Sequence, residues 1–569
     1  MVITRLRDPI ARGGVARYRL LLLCTAGFGG LLYGVDVGII AAALLYLGKT
    51  IQLTVAETSL IVAAVLGGSM ISSPVGGVLA DWIGRKKTML LAGLLFLTSI
   101  VLIVASQSFV SLFLGRLLQG VSGGIIAVVV PLYLAECLDA NTRGRGTALF
   151  QLMLTIGIAV ASLIGWFYTR RAELEIAAAH NNSALVYAAE GHAWRAMFLS
   201  VLYPGIVFFA GSLFLAESPR WLVRKGRIAD ALKSLLRSST SDAEAREELV
   251  QIQAMGRQTK NDVEEGRSSS LWQRRYIVPF VLACVVLVCN QATGINTILG
   301  FLVVILTHAG MSATHATQGD VAVKLLNCAV TVVAIALVDR KGRKFLLKLG
   351  TAGIVVSLVA ASLLFFRFES TRVDVTKEAE AARSGNTLVF PLTRQISDRP
   401  VSLTVLYSYG DGTRLASAST KSGPAVLHIA PDSDSHAGQL QVRDAFYCVE
   451  PQPWVGWGVT ACLSIFIASF SIGPGVVVWL ALSELMPTRI RSRGMGIALL
   501  LNQGVSTAIA GFFLPVVGRF GYFAAFAIWA ACSLVYFLVA AFFLPETKGK
   551  TLEEIEASFV VPGRQAHAQ

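Results

Sequence analysis

The chain has 569 residues, of which 54% are hydrophobic and 15% are charged, and its formal net charge is +14. Soluble globular proteins rarely contain such long apolar runs, so this composition excludes an ordinary soluble domain. We count twelve apolar runs long enough to cross a bilayer, six in each half of the chain, because a crossing helix needs roughly 20 mostly apolar residues. The sequence therefore predicts a multi-pass membrane protein.

Basic residues are concentrated in alternate loops between these runs. Five arginines precede the first run, and Arg85, Lys86 and Lys87 follow the second, whereas the loop at residues 48–57 is nearly uncharged. Because Lys and Arg mark the cytoplasmic side of a membrane protein, we predict that both termini are cytoplasmic and that the chain lies in the plasma (inner) membrane. This topology accounts for the basic excess, and no nucleic-acid-binding motif accompanies it.

The predicted elements divide the chain into seven segments. In chain order they are a cytoplasmic N-terminus (1–18), a six-helix bundle (19–222), a cytoplasmic linker with short helices (223–276), helices 7–9 (277–367), an external insert (368–452), helices 10–12 (453–544) and a cytoplasmic tail (545–569). The predicted fold class is therefore an all-α membrane protein with two six-helix bundles. A plain solvated linker between the bundles is the alternative to a linker with surface helices.

The insert has a pattern different from the rest of the chain. Apolar and polar residues alternate from Val401 to Tyr407, and a Gly-Asp-Gly turn at 410–412 follows. This alternation predicts a small β-rich domain, with a disordered loop as the alternative. His428 and His436 have no cysteine or carboxylate cluster beside them in the sequence, so we predict neither a metal site nor a catalytic site there.

A charged signature occurs twice. Asp81–Lys86 returns as Asp339–Lys344, each copy between two apolar runs. Two further repeats keep the same order: Glu136 and Arg143 return as Glu484 and Arg491, and Glu217 returns as Glu546. A membrane chain built twice from one plan predicts two pseudo-symmetric halves that move around a shared central site.

A charge falls within the apolar run of the first and of the fourth predicted helix. Asp36 is in the first helix and Arg116 is in the fourth, and both lie in the outer half of the membrane, Asp36 ~15 Å from the outer end of its helix. Lone charges at this depth are costly, so we predict that the two side chains form a pair inside the protein.

The predicted pair has two interpretations. One is a static buried salt bridge. The other is proton coupling, because burial disfavours a charged carboxylate while a nearby guanidinium favours it. If the pair separates during transport, Asp36 takes up a proton in one state and releases it in another, which an asparagine could not do. The presence of Asp36 therefore favours symport over passive uniport.

Seven motifs in order resemble the sugar porter family of the major facilitator superfamily, which includes proton-coupled xylose and hexose symporters and facilitative glucose transporters. They are Gly29–Asp36, Gly77–Lys87, Pro131–Glu136, Glu217–Leu222, Gln291–Asn296, Gly473-Pro474-Gly475 with Trp479, and Pro545–Gly549. The resemblance covers nearly the whole chain except the insert. It implies the major facilitator fold, a sugar as substrate and alternating access.

The resemblance also implies a cytoplasmic charge network that closes the inner side of the outward-open state. Its members would be Asp81, Arg85, Glu136, Arg143, Glu217, Asp339, Arg343, Glu484 and Arg491. Positive-inside topology is the alternative, and it explains the basic residues but not the repeated carboxylates. The resemblance further makes Gly473-Pro474-Gly475 a flexing gate in helix 10, because proline and glycine weaken a helix. A static kink is the alternative.

By the same resemblance, sugar would bind in the central cavity. A sugar is a ring of hydroxyls with an apolar face, so it suits amides, which both donate and accept hydrogen bonds, and an aromatic surface. The implied substrate residues are Tyr33, Gln151, Asn290, Gln291, Asn296, Asn327, Trp479 and Asn502. Amides that only hold helices together are the alternative. The chain departs from the family where Asn290 precedes Gln291 and where Gly300-Phe301 replaces a tyrosine pair.

We therefore predict a proton-coupled symporter of a monosaccharide, a hexose or a pentose, that works as a monomer. It is expected to be no enzyme and to need no metal and no cofactor beyond the coupling proton. The first alternative is a facilitative sugar or polyol uniporter. The second is a non-transporting sugar sensor, although sensors tend to have longer tails than the 25 residues predicted after helix 12.

Overall fold

Membrane-length helical segments build the part of the protein that the structure describes. The structure, a computed structural model, describes residues 9–138, 140–180, 182–239, 241–265, 274–392, 400–410, 412–420, 425–431, 438–477 and 491–546. Within these ranges, twelve helical spans are long and apolar enough to cross a membrane. This count confirms the predicted fold class.

The first half contains six spans, the last of which is broken into two helices. They are α1 (Pro9–Thr50), α2 (Val55–Ile83), α3 (Arg85–Val104), α4 (Phe109–Cys137), α5 (Ala140–Ala178), α6 (Ser183–Ser200) and α7 (Leu202–Phe214). Helix α1 therefore begins ten residues before residue 19, the predicted start of the first bundle. A helix need not stop at the membrane surface, and the side chain of Arg19 donates a hydrogen bond to the backbone oxygen of Ser238 in the linker.

The described residues of the linker region form two short helices, α8 (Pro219–Arg224) and α9 (Ile228–Ser238), and a longer one, α10 (Asp242–Glu265). They share a small apolar core that includes Trp221, Leu235 and Ala245.

In the second half, the seventh span is also broken in two. The helices are α11 (Arg274–Ala292), α12 (Ile295–His308), α13 (Ala313–Lys341), α14 (Arg343–Glu369), then, after the insert, α16 (Pro453–Ile472), α17 (Arg491–Phe520) and α18 (Tyr522–Leu538), which continues as a π-helix at Val539–Phe543.

The described residues of the insert between α14 and α16 form a short helix and two antiparallel sheets. Its elements are β1 (Val373–Asp374), α15 (Thr376–Ala381), β2 (Arg383–Ser384), β3 (Thr387–Pro391), β4 (Val401–Ser408), β5 (Arg414–Ser419), β6 (Val426–Ile429) and β7 (Gln441–Val449). One sheet has the strand order β1-β7-β4-β5 and the other β2-β3-β6. Leu403 lies opposite Ala418 on one side and Tyr447 on the other. The predicted β-rich insert is confirmed.

We call the end of the helical bundle that carries this insert the insert side and the opposite end, where α8–α10 lie, the linker side. The insert contacts both halves. It belongs to the second half by sequence, yet the backbone N–H of Val55 at the start of α2 donates to the backbone oxygen of Thr413 at 2.9 Å. This bond satisfies one of the free N–H groups that every helix N-terminus exposes.

We expect residues 368–452 to fold when expressed alone, because the insert has its own core. Leu388, Leu403 and Tyr447 are at most 1% exposed within it. Truncating such a buried leucine costs about 2–5 kcal/mol, so Leu403→Ala should lower the melting temperature strongly. The exposed Leu415→Ala, at a side chain that is 51% exposed, should change it little. Circular dichroism during heating measures both, and a wild-type insert without a cooperative transition contradicts the prediction.

Candidate functional site

Asp36 and Arg116 form a buried ion pair between α1 and α4, as the sequence predicts. The guanidinium Nη1 of Arg116 donates to Asp36 Oδ1 at 3.2 Å and to Gln119 Oε1 at 2.7 Å. The two charged side chains are 0% and 1% exposed, and the guanidinium lies 5.5 Å from the centre of the Phe198 ring on α6. Asp36 Oδ2 is buried and has no hydrogen-bond partner among the described residues. One carboxylate oxygen is therefore held by a cation and the other is free to accept a proton.

Three of the predicted substrate residues meet in one amide cluster, formed by Gln291, Asn296, Asn502 and Ser506. Gln291 Nε2 donates to Asn502 Oδ1 at 3.2 Å, and Asn296 Nδ2 donates to Gln291 Oε1 at 3.0 Å and to Ser506 Oγ at 2.9 Å. Asn502 Nδ2 completes the cluster by donating to the backbone oxygen of Leu287 at 3.1 Å. Side chains from α11, α12 and α17 thus present donors and acceptors at one place, as a polyhydroxylated ligand requires.

The break in the seventh span brings Gln291 and Asn296 together. Gly294 has φ +80°, in the left-handed region that glycine adopts without steric cost. The chain ends α11 there and begins α12 one residue later. The structure therefore contains a break in the helix between the two amides, where the sequence predicts that the helix loosens.

The remaining predicted substrate residues are less closely joined. Asn327 on α13 accepts a hydrogen bond from Ser471 on α16 at 2.6 Å. Asn290 is 3% exposed, and its Oδ1 has no hydrogen-bond partner among the described residues. Tyr33 on α1 accepts a hydrogen bond from Gln503 on α17 at 3.5 Å. Gln151 lies half-buried on α5, and Trp479 lies outside the described residues.

Helix α16 is interrupted at Gly473. This residue has φ −106° and ψ −93°, and its N–H bonds to the backbone oxygen of Ser469 at 3.2 Å. Helical structure resumes from Pro474, the residue whose ring prevents a continuous helix. A Cβ at Gly473 would lie 2.7 Å from the backbone oxygen of Leu346, so the break packs closely against α14. Movement at Gly473-Pro474-Gly475 stays a prediction.

On the linker side, Arg85 is the centre of a charge cluster with Asp81, Glu136 and Glu217. Its guanidinium lies 2.9 Å from Asp81 Oδ1 and 2.8 Å from Glu136 Oε2 and is 1% exposed. Glu217 instead accepts from backbone groups, the N–H of Arg85 at 2.8 Å and that of Lys86 at 3.1 Å. The structure thus joins the four members of the predicted network that it describes in the first half.

The second half repeats the backbone part of this arrangement. Glu546 accepts from the N–H groups of Arg343 and Lys344, each at 3.1 Å. Negative charge at a helix N-terminus is stabilising because the N–H groups there are unpaired and the helix dipole is positive. The repeated glutamate is therefore explained as a cap of α3 in one half and of α14 in the other. The side chains of Arg143, Asp339 and Arg491, and all of Glu484, lie outside the described residues.

We expect Gly84→Ala to lower the thermal stability of the protein. Gly84 has φ +102° and ψ 159°, a conformation that costs a non-glycine residue about 1–3 kcal/mol, and an added Cβ would collide with the carboxylate of Glu217. Gly77→Ala is the matched control, because nothing lies within 4 Å of a Cβ at that helical position. Thermal unfolding of the purified protein in detergent compares them, and equal melting temperatures would show that the cap of α3 is unimportant.

Several residues at the site are not among those that the sequence predicts. Gln119 lies three residues after Arg116 and so on the same helix face, a spacing that could have identified it. Arg224 lies 3.1 Å from Glu136 Oε1, but its position at the C-terminal end of α8 gives no such signal. Asp320 and Lys324 form a second buried pair at 2.8 Å. Opposite charges four residues apart lie on one face of a helix, and this spacing at the start of an apolar run is a readable signal for that pair.

Two six-span halves, a broken span at a polar centre and a buried acid define a secondary membrane transporter. The sequence profile described as "Sugar (and other) transporter" matches residues 22–383 and 441–559. The chain belongs to this family and is a sugar transporter of the major facilitator superfamily, a multi-pass membrane protein rather than an enzyme. The insert segment 384–440 lies outside the match.

Similar proteins include both coupled and facilitative transporters. The chain is 28% identical to the glucose transporter GlcP of Staphylococcus epidermidis over 95% of this chain and 96% of that protein. It is 25% identical to the arabinose-proton symporter of Bacillus subtilis over 97% of each protein. It is 29% identical to the human solute carrier family 2, facilitated glucose transporter member 12, over 96% of this chain and 86% of that protein.

Solved structures of one transporter share the fold. The inward-open conformation of the xylose transporter XylE from Escherichia coli superposes with a TM-score of 0.66 at 20% identity, over 95% of this chain and 100% of that chain. A structure of the same transporter, described as a proton:xylose symporter bound to a bromodeoxyglucose, gives a TM-score of 0.63 at 20% identity, over 96% of this chain and 100% of that chain.

Proposed function

We propose that this sugar transporter is a proton-coupled monosaccharide symporter that works as a monomer by alternating access. The observation that carries the proposal is the buried Asp36–Arg116 pair at 3.2 Å with one carboxylate oxygen that has no partner among the described residues. Ionisable groups inside a membrane protein mark ion or proton pathways. We place the protein in the plasma membrane with both termini cytoplasmic, so that the insert side is external.

The proton would act by changing how strongly Arg116 holds Asp36. A deprotonated Asp36 attracts the guanidinium and keeps α1 and α4 together. A proton on Oδ2 removes the negative charge, so the attraction weakens and Arg116 relies on Gln119. Loading a proton and a sugar from outside then permits the halves to change their orientation, and release of the proton inside restores the pair.

The amide cluster supplies the sugar-binding groups in this proposal. In the structure, Gln291, Asn296 and Asn502 bond to one another, so sugar hydroxyls can replace these bonds without leaving buried amides unsatisfied. An exchange of partners of this kind keeps the energetic cost of binding small, because unpaired buried polar groups cost about 1–3 kcal/mol each. The three side chains come from both parts of the broken seventh span and from α17, so sugar binding can change how these helices lie against one another.

The linker-side cluster would close the cytoplasmic side of the outward-open state. Arg85 bonds to acidic side chains of its own half in this structure, while the halves are joined toward the insert side. There, Leu514 N–H donates to Ser59 Oγ and Thr314 N–H donates to Glu173 Oε1, both at 3.1 Å. This arrangement fits an orientation that is closed to the outside.

Uptake into proteoliposomes with an imposed pH gradient tests the proposal. A panel of radiolabelled hexoses, pentoses and polyols should include at least one sugar that accumulates above its external concentration when the outside is acidic. Dissipating the gradient with a protonophore should reduce the accumulation to equilibrium. A sugar that exchanges across the membrane but never accumulates would establish facilitative uniport instead.

Facilitative uniport is the second candidate function. The observation that favours it is the likeness to a human facilitated glucose transporter at 29% identity. In a uniporter, Asp36 and Arg116 would form a permanent structural pair whose charge state stays the same throughout the cycle.

A further inference from the structure

Helix α13 contains a second buried ion pair, which the proton-coupling mechanism does not use. Lys324 Nζ lies 2.8 Å from the carboxylate of Asp320 one turn earlier, and the two side chains are 0% and 1% exposed. They lie within the membrane-length span Ala313–Leu337. Charged residues at such depth are costly and rare, so they point to a functional position.

Lys324 also reaches across to the other half of the protein. Its ammonium donates to the backbone oxygen of Gly38 on α1 at 3.1 Å. Lys324 is eleven residues from the insert-side start of α13 and Gly38 is twelve residues from the insert-side end of α1, or roughly 17 Å and 18 Å along the helices. The bond therefore lies deep in the insert-side part of the interface, two residues beyond Asp36.

The two partners of Lys324 differ in how they behave when the halves separate. Asp320 is on the same helix and moves with Lys324, whereas Gly38 belongs to the first half. Opening the insert side must break the bond to Gly38 but can leave the ion pair intact. The ammonium then keeps its countercharge in both orientations, which avoids the large penalty for an unpaired buried charge.

We propose that Lys324 is a positioning residue of the transport cycle, a latch that holds the insert side closed through Gly38 while Asp320 neutralises it. The proposal rests on the alternating access proposed above. It assigns the pair a role distinct from Asp36: Asp36 senses the proton, and Lys324 sets how readily the external side opens.

The test compares the full-length wild-type protein with Asp320→Leu/Lys324→Met and with Lys324→Arg, all in lipid nanodiscs without sugar. The double variant removes both charges together and replaces the ion pair by apolar side chains, so no buried charge is left without its partner, and folded proteins often tolerate such an exchange. Spin labels at Gln107 and Lys377, introduced as bioorthogonal amino acids, report the separation of the halves on the insert side. Both positions are exposed there, one in each half.

The double variant should raise the ratio of open to closed insert-side populations about tenfold, as expected for loss of one charge-assisted hydrogen bond. Lys324→Arg, which keeps the positive charge and a donor, should keep most of the closed population. A double variant with a lower melting temperature but the wild-type ratio would show a structural pair only and overturn the proposal. An unchanged ratio with an unchanged melting temperature would overturn it too. The symport proposal fails on a different measurement. It is wrong if wild-type proteoliposomes do not accumulate sugar, whatever the ratio of open to closed populations.

Discussion

Replacing Asp36 with asparagine should abolish uphill sugar accumulation while leaving exchange of sugar down its gradient. Asparagine keeps an oxygen that can accept from Arg116, which lies 3.2 Å away in the wild type, but it cannot bind or release a proton. With one pH unit imposed, one-to-one coupling permits about tenfold accumulation, because a factor of ten in proton activity is worth about 1.36 kcal/mol. The variant should reach a ratio of about one in the same proteoliposomes.

The control for this substitution is Asp230→Asn. Asp230 forms a surface ion pair with Arg227 at 2.8 Å in the linker and is 41% exposed, so the same chemical change there should leave accumulation intact. Counterflow of labelled sugar verifies that both variants are folded and active. Wild-type accumulation by Asp36→Asn would refute proton coupling through this carboxylate and favour the static salt bridge.

Gln291→Leu should weaken sugar binding about 10- to 100-fold. The substitution removes the amide that bonds to Asn502 Oδ1 at 3.2 Å and to Asn296 Nδ2 at 3.0 Å, while Asn296 Nδ2 keeps its bond to Ser506. In the complex, a buried sugar hydroxyl that would bond to Gln291 is left without a partner, which costs about 1–3 kcal/mol. Titration of the purified protein with the transported sugar measures the dissociation constant.

Gln251→Leu in the linker is the matched control, because Gln251 is exposed on α10 and far from the membrane spans in sequence. Thermal melting separates binding from structure. If Gln291→Leu lowers the melting temperature but binds sugar as the wild type does, the cluster only holds α11 and α17 together, and the binding proposal fails.

The sequence was most informative where a property is local. Arg116 and Asp36 could be paired from the sequence because each is a lone charge in an apolar run and the helix rise places them at similar depth. The insert strands could be predicted because side chains alternate with a period of two, and β4 indeed buries Val401, Leu403 and Val405. The break at Gly294 could also be anticipated, because a glycine between two amide side chains can be recognised in the sequence.

Other parts of the site depend on how the helices rotate about their axes. Gln291 and Asn502 are 211 positions apart; the family resemblance assigns both to the central cavity, but neither spacing nor periodicity indicates that their side chains bond to each other. Glu217 was assigned to a network of side-chain charges, yet it bonds to backbone N–H groups of α3. A repeated acid in a sequence cannot distinguish a helix cap from an ion-pair partner, because both uses require the same residue.

The amino-acid sequence by itself determined the twelve spans, the duplication, the family and the position of the buried acid, because hydropathy and charge are read along one chain. Only the tertiary structure decided which polar groups meet, including the contact between Lys324 and Gly38 over 286 positions. Contacts of that length depend on the packing of helices against one another, and each helix offers several faces that its sequence alone leaves equivalent.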